Sequence, residues 1–130
     1  MSRCCYDDCC DGWDLIRWRG AVNSAIKGKR GQKLLRDLAA ALDAMPVKRL
    51  IKDALEDGGE VCALGCLGKA MSMDMSHIDP EEPEQVAKAF GIAPAMAQEI
   101  EYINDEWYAE TPEERWRGVR GWVAQQIKQP

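Results

Sequence analysis

At 130 residues, with 46% hydrophobic and 30% charged side chains and five tryptophans, the chain has the composition of one globular domain, which excludes a disordered or fibrous protein. No apolar run reaches the ~18 residues that cross a bilayer, and Met1-Ser2-Arg3 opens no hydrophobic leader, so a cytoplasmic protein with no membrane partner is expected. The net charge of −5 is divided along the chain: Leu15 to Arg36 carries seven basic residues and no acid, whereas Asp53 to Glu114 carries sixteen acids against Lys69 and Lys88. Such a division points to electrostatic partners, either within the molecule or outside it.

Residues 1–12 read as a cysteine-rich tail and residues 13–130 as a single helical domain. Cys4, Cys5, Cys9 and Cys10 are enough in number for one tetrahedral zinc. Adjacent cysteines of one short peptide do not reach four tetrahedral corners without a second segment, and cytoplasmic thiols stay reduced. No metal is therefore assigned to them.

The domain is expected to be all-α, a compact bundle of about six or seven helices. Leu15, Trp18, Val22, Ala25 and Ile26 have helical spacing and predict a first helix ending at Gly28-Lys29-Arg30-Gly31. Leu34, Leu35, Leu38, Ala41, Leu42 and Met45 form the stripe of a second helix, which stops at Pro46. Pro46 suits the first turn of a third, with Val47, Leu50, Ile51, Ala54 and Leu55 on one face before the break at Asp57-Gly58-Gly59. Val61 to Gly68 predicts a buried fourth helix, whose Cys62, Gly65 and Cys66 permit close approach of another backbone.

Met71 to Pro83 reads as a connection, and Glu84 to Phe90 as a short helix ended by Gly91. A longer helix from Ala93-Pro94 would turn Met96, Ile100, Ile103 and Trp107 inward. Thr111-Pro112-Glu113-Glu114 has the capping-box spacing for a last helix carrying Trp116, Val119, Val123 and Ile127. No stretch alternates as a strand.

Catalytic chemistry finds little support. His77, the only histidine, lies in a polar connection with no nucleophile assigned to it. Gly65-Cys66-Leu67-Gly68-Lys69 lacks the first glycine and the hydroxyl of a phosphate loop, since Ala63 and Ala70 stand there. Cys62 and Cys66 fall one turn apart in apolar surroundings that favour packing over redox chemistry, and Met71, Met73 and Met75 read as cover for a core edge rather than copper ligands. No cofactor and no enzymatic activity are expected.

Two surfaces carry the binding readings. Lys27, Lys29, Arg30, Lys33 and Arg36 flank Gly28-Lys29-Arg30-Gly31, which resembles the GXXG loop of KH domains where the backbone approaches a nucleic-acid strand. KH domains also need a three-stranded sheet, and none is predicted, so a solvated helix hairpin is the simpler reading. Glu99, Glu101, Asp105 and Glu106 form an acidic run. Gln85 to Ile100 has offsets that resemble a helix-turn-helix, but those acids make its second helix a poor reader of DNA.

Ile16-Arg17-Trp18-Arg19-Gly20-Ala21-Val22, Gly28-Lys29-Arg30-Gly31-Gln32, Val61-Cys62-Ala63-Leu64-Gly65, Ile103-Asn104-Asp105-Glu106 and Thr111-Pro112-Glu113-Glu114-Arg115-Trp116 occur in that order. Through them the chain resembles a family of small phage and prophage proteins with no assigned activity. The resemblance implies action inside a host cell. A non-catalytic binding protein is then expected, foremost an inhibitor of a host nucleic-acid-handling defence system, anti-CRISPR-like. Its acidic face (Glu99, Glu101, Asp105, Glu106) would fill a groove of the host protein made for phosphates. The alternative is a DNA- or RNA-binding accessory protein that uses Lys27, Lys29, Arg30, Lys33 and Arg36.

Overall fold

The computed structural model describes residues 12–106 and 110–128, with side chains from residue 17 onward. Among these residues the chain forms six helices and one small hairpin: α1 (Gly12–Lys27), α2 (Lys29–Ala44), β1 (Glu56–Asp57), β2 (Glu60–Val61), α3 (Ala63–Ala70), α4 (Pro83–Phe90), α5 (Pro94–Asp105) and α6 (Pro112–Gln126). The mostly-α expectation holds. The tail with Cys4, Cys5, Cys9 and Cys10, and Trp107, lie outside the described residues.

α2 follows its stripe, burying Leu34, Leu35, Leu38, Ala41 and Leu42 against α1, α3 and α6. α5 is the hub, packing on α1, α3, α4 and α6, and nine of its twelve residues are buried. Met96, Ile100 and Ile103 face inward as expected. Val119 and Val123 of α6 enter the same core, with Trp116 and Ile127 packed on its edge. Thr111 Oγ1 caps α6 by accepting from the Glu114 amide at 3.1 Å, while Glu114 Oε2 accepts from the Glu110 amide, one residue before the position a capping box uses.

The third helix expected after Pro46 does not form. Its backbone is claimed by other elements: the Leu50 amide donates to Pro112 O (3.1 Å) and the Ile51 amide to Val61 O (2.9 Å). Leu50 O accepts from Arg115 and Ile51 O from Asn104. Asp53 has φ 64°, incompatible with a right-handed helix. Leu50 and Leu55 still reach the core, but Val47 is left 60% exposed. Gly58-Gly59, read from sequence as a helix break, turns a hairpin instead, with φ values of 60° and 86° and register Glu56↔Val61 and Asp57↔Glu60.

α3 occupies the buried position that its small residues predict. A Cβ on Gly65 would stand 1.9 Å from the carbonyl oxygen of Leu55, so only glycine lets the 50–55 segment lie against the helix. Gly121, midway along α6, faces open space. Gly65→Ala should therefore cost about 2 kcal/mol or more, and Gly121→Ala should add roughly 0.5–1 kcal/mol; urea unfolding of the two variants gives both signs directly.

Candidate functional site

The corner between α1 and α2 is one residue long. Gly28, in extended conformation, donates its amide to Ser24 O (3.1 Å) and accepts from the Gln32 amide (2.9 Å), closing one helix and opening the next. A Cβ at Gly31 would fall 2.0 Å from Ala25 O, so the first turn of α2 rests directly on the last turn of α1. Gln32, buried beside it, donates Nε2 to Ile26 O (2.7 Å) and to Gln126 O (3.1 Å) and accepts through Oε1 from the Lys128 amide (2.8 Å). Lys128 Nζ in turn donates to Lys27 O at 2.6 Å. Carbonyls that the end of α1 would leave without partners are thus satisfied by α2 and by the residues following α6.

Lys27, Lys29, Arg30, Lys33 and Arg36 are all exposed on this corner. Lys29, Lys33 and Arg36 repeat at i, i+4 and i+7 along one stripe, opposite the buried leucines. Lys33 pairs with Asp37 at 2.7 Å; Lys27, Lys29, Arg30 and Arg36 make no ion pair among the described residues. α2 has no acid in its first turn and no side-chain cap, and the amides of Lys29, Arg30 and Gly31 have no acceptor among the described residues. Two cations in the first helical turn oppose the helix dipole. An anion at the same place is favoured by amides, dipole and side chains together. A recess of about 320 Å³ opens there, lined by Gly28, Lys29 and Arg30 on one side and by Ile92, Ala93 and Met96 on the other.

The acidic face expected on α5 is corrected by burial. Glu99, Glu101 and Asp105 are 3%, 1% and 9% exposed, and Glu106 alone of the four reaches solvent. The helical spacing was compatible with an exposed face, but α5 is covered by neighbours on most of its circumference. Glu99 accepts from Arg19 at 2.8 Å. Asp105 Oδ1 accepts from the Asp53 amide (3.2 Å) and from Asn104 Nδ2 (2.8 Å). Asn104 also donates to Ile51 O (2.8 Å) and accepts from the Ala63 amide (3.0 Å). These polar groups fasten α5 to α1, to the 50–55 segment and to the start of α3. The same burial bars α5 from a DNA groove, although α4, Gly91 at φ 69° and α5 do form a helix, turn and helix. The two-residue strands of the hairpin do not supply the sheet of a KH domain.

The chain matches no family model, no curated protein and no solved structure.

The remaining candidates are dispersed. Ser76 Oγ donates to Asp74 at 2.7 Å and His77 stands 3.3 Å from the same carboxylate, so in this exposed turn the hydroxyl faces the acid rather than the imidazole. No three His, Cys, Asp or Glu groups converge on a metal position among the described residues. Met75 is buried, its sulfur region filling the space that a Cβ on Gly68 would take, whereas Met71 is exposed and Met73 half-buried. Cys62 Sγ caps α3 by accepting from the Gly65 amide at 3.4 Å. No described helix is long and apolar enough to cross a membrane. The sequence signal missed at the corner was Gln32, a polar residue interrupting the buried stripe of α2 directly after Gly31.

Burial pushes the Cys66 thiol up from 9.0 to about 11, with the neighbouring Cys62 adding to the rise. The thiolate is the reactive form, so native Cys66 should resist iodoacetamide at neutral pH and react once the protein is unfolded, as read by mass spectrometry. Because the folded value lies above the unfolded one, the contribution of Cys66 to stability is complete below pH 9.0 and should decline as pH rises toward 11.

Proposed function

We propose that the protein is a non-catalytic nucleic-acid-binding protein, accessory or regulatory in role, that holds the phosphate backbone at the α1–α2 corner. The observation that supports this reading most is the placement of exposed Lys29 and Arg30 in the uncapped first turn of α2. For folding alone that placement is unfavourable, by roughly 0.3–1 kcal/mol per charge, and a bound phosphate reverses its sign. Lys27, Lys33, Arg36 and Lys128 extend the positive surface around the corner of a chain whose net charge is −5. Contacts of this kind grip backbone rather than bases, so little sequence preference is expected. DNA or RNA within a host cell, the setting suggested by the resemblance to phage proteins, supplies the ligand. An inhibitor that fills a phosphate groove with Glu99, Glu101, Asp105 and Glu106 has less behind it, since Glu106 alone of the four reaches solvent and the other three are buried.

Anisotropy of labelled random-sequence DNA and RNA should show affinity falling with salt at a log–log slope near −4 to −5, about 0.9 per phosphate neutralised. Lys29→Glu, Arg30→Glu and Arg36→Glu combined should flatten that slope by about three with a thermal melt at or above that of the wild type, since acids in the first turn of α2 suit the helix dipole, and Glu106→Lys should leave binding intact. Wild-type protein that binds neither polymer, or binding indifferent to the triple reversal, would refute the reading.

A further inference from the structure

The cations of the α1–α2 corner are crowded into a short length, and that length bears on the form of nucleic acid they fit. Lys29, Lys33 and Arg36 occupy the first turns of α2, over about 10 Å at 1.5 Å per residue. Lys27 and Arg30 are their neighbours in the chain, and Lys128 is fastened to the same corner by its bond to Lys27 O. Beyond Arg36 the exposed face of α2 carries no further cation. Ala40 and Ala44 follow on it, and Asp43 is held by Arg120 at 2.8 and 2.9 Å.

The density of charge then discriminates between ligands. Over about 10 Å of axis one stacked strand presents about three charges, whereas a duplex, with both strands counted, presents about six. Six exposed cations (Lys27, Lys29, Arg30, Lys33, Arg36 and Lys128), one of them shared with Asp37, match the duplex and exceed the strand.

The apolar side chains point the same way. Proteins that hold single strands stack successive bases on aromatic rings. No aromatic ring among the described residues is exposed: Phe90 is buried, and Trp18, Tyr102, Trp116 and Trp122 are half-buried against the core. None of them lines the recess at the corner. The exposed large hydrophobic side chains, Val47 and Met71, do not line it either, so no wedge stands there to part a base step. A surface of cations without a stacking platform gains nothing from unpaired bases.

Building on the nucleic-acid-binding role proposed for this corner, we infer that its ligand is an intact duplex, held by the phosphates of both strands with its base pairs left stacked. Two closely spaced phosphate rails are the chemistry recognised, and duplex DNA and duplex RNA both supply them.

Anisotropy titrations of the full chain at several salt concentrations test this with a mixed-sequence DNA duplex, one of its separated strands and the corresponding RNA duplex. A duplex should bind about tenfold tighter than the strand or more, with a log–log salt slope near −4 to −5 against about −2 for the strand, whose three phosphates count about 0.7 each. Preference for either duplex over the strand supports the inference, and the two duplex arms identify the source. Tryptophan emission should be unchanged on binding. A strand bound as tightly as the duplexes, equal slopes for strand and duplex, or emission quenched by a stacked base would overturn the duplex and leave the nucleic-acid reading in place. Binding to none of the three probes would overturn both together.

Discussion

One buried amide organises the corner on which the proposed activity rests. Gln32 spends both of its Nε2 hydrogens and an Oε1 lone pair on three backbone groups from two distant stretches of chain, Ile26 on one side and Gln126 and Lys128 on the other. A hydrocarbon of similar size would leave the buried Ile26 carbonyl without a partner, at about 1–3 kcal/mol, and would release the Gln126 and Lys128 backbone groups from α2. The amide therefore does more than fill space. It fixes the end of α1 against the start of α2 and holds the residues after α6 over both, so the cations stand on a braced support rather than on a mobile loop. Asn104 does the corresponding work at the other pole, joining the end of α5 to Ile51 and to the first turn of α3. These two side-chain amides, with the buried acids of α5, are the polar fastenings of a mostly apolar core.

Much of the bundle was legible in the sequence because leucine stripes, Pro at helix starts and Gly at helix ends act locally. α2 and α6 could be read to within a few residues from Leu34, Leu35, Leu38 and Leu42 and from Thr111 and Pro112. The 46–55 segment could not. Its apolar spacing suits a helix, and what defeats the helix is four hydrogen bonds to Pro112, Val61, Arg115 and Asn104, partners that no local pattern names. The acids of α5 were misplaced for a related reason: Glu99, Glu101 and Asp105 look like a solvated face until α1 and the 50–55 segment cover them. The basic corner was legible in composition but not in meaning, because Gln32 and Lys128, which make it rigid, lie almost a hundred residues apart in the chain.

The charge division of the chain thus resolves into two physical regimes. Acids of the central helix were drawn into hydrogen-bonded positions, Glu99 beside Arg19 and Asp105 beside an amide and Asn104, where their charge serves cohesion. The corner cations Lys27, Lys29, Arg30, Lys33 and Arg36 stayed in water, and of these five only Lys33 has a carboxylate partner among the described residues. An overall acidic protein therefore presents a local positive surface on which Lys33 alone of the five corner cations is matched by an acid, Asp37, among the described residues. The negative balance elsewhere limits how closely an extended polyanion can lie along the rest of the molecule.

The long reach of Gln32 also sets an order of assembly. The α1–α2 hairpin has its contacts close at hand and can form while the chain is still being made, whereas the bonds from Gln32 to Gln126 and Lys128 span 94 and 96 residues. Closure of so large a loop comes late, because its entropy is lost before its contacts are gained. On the ribosome, the positive hairpin emerges before residues 126–128 and goes unbraced until residue 128 has cleared the exit. A nascent chain therefore passes through a stage in which its most basic segment is complete in charge but not yet fixed in shape.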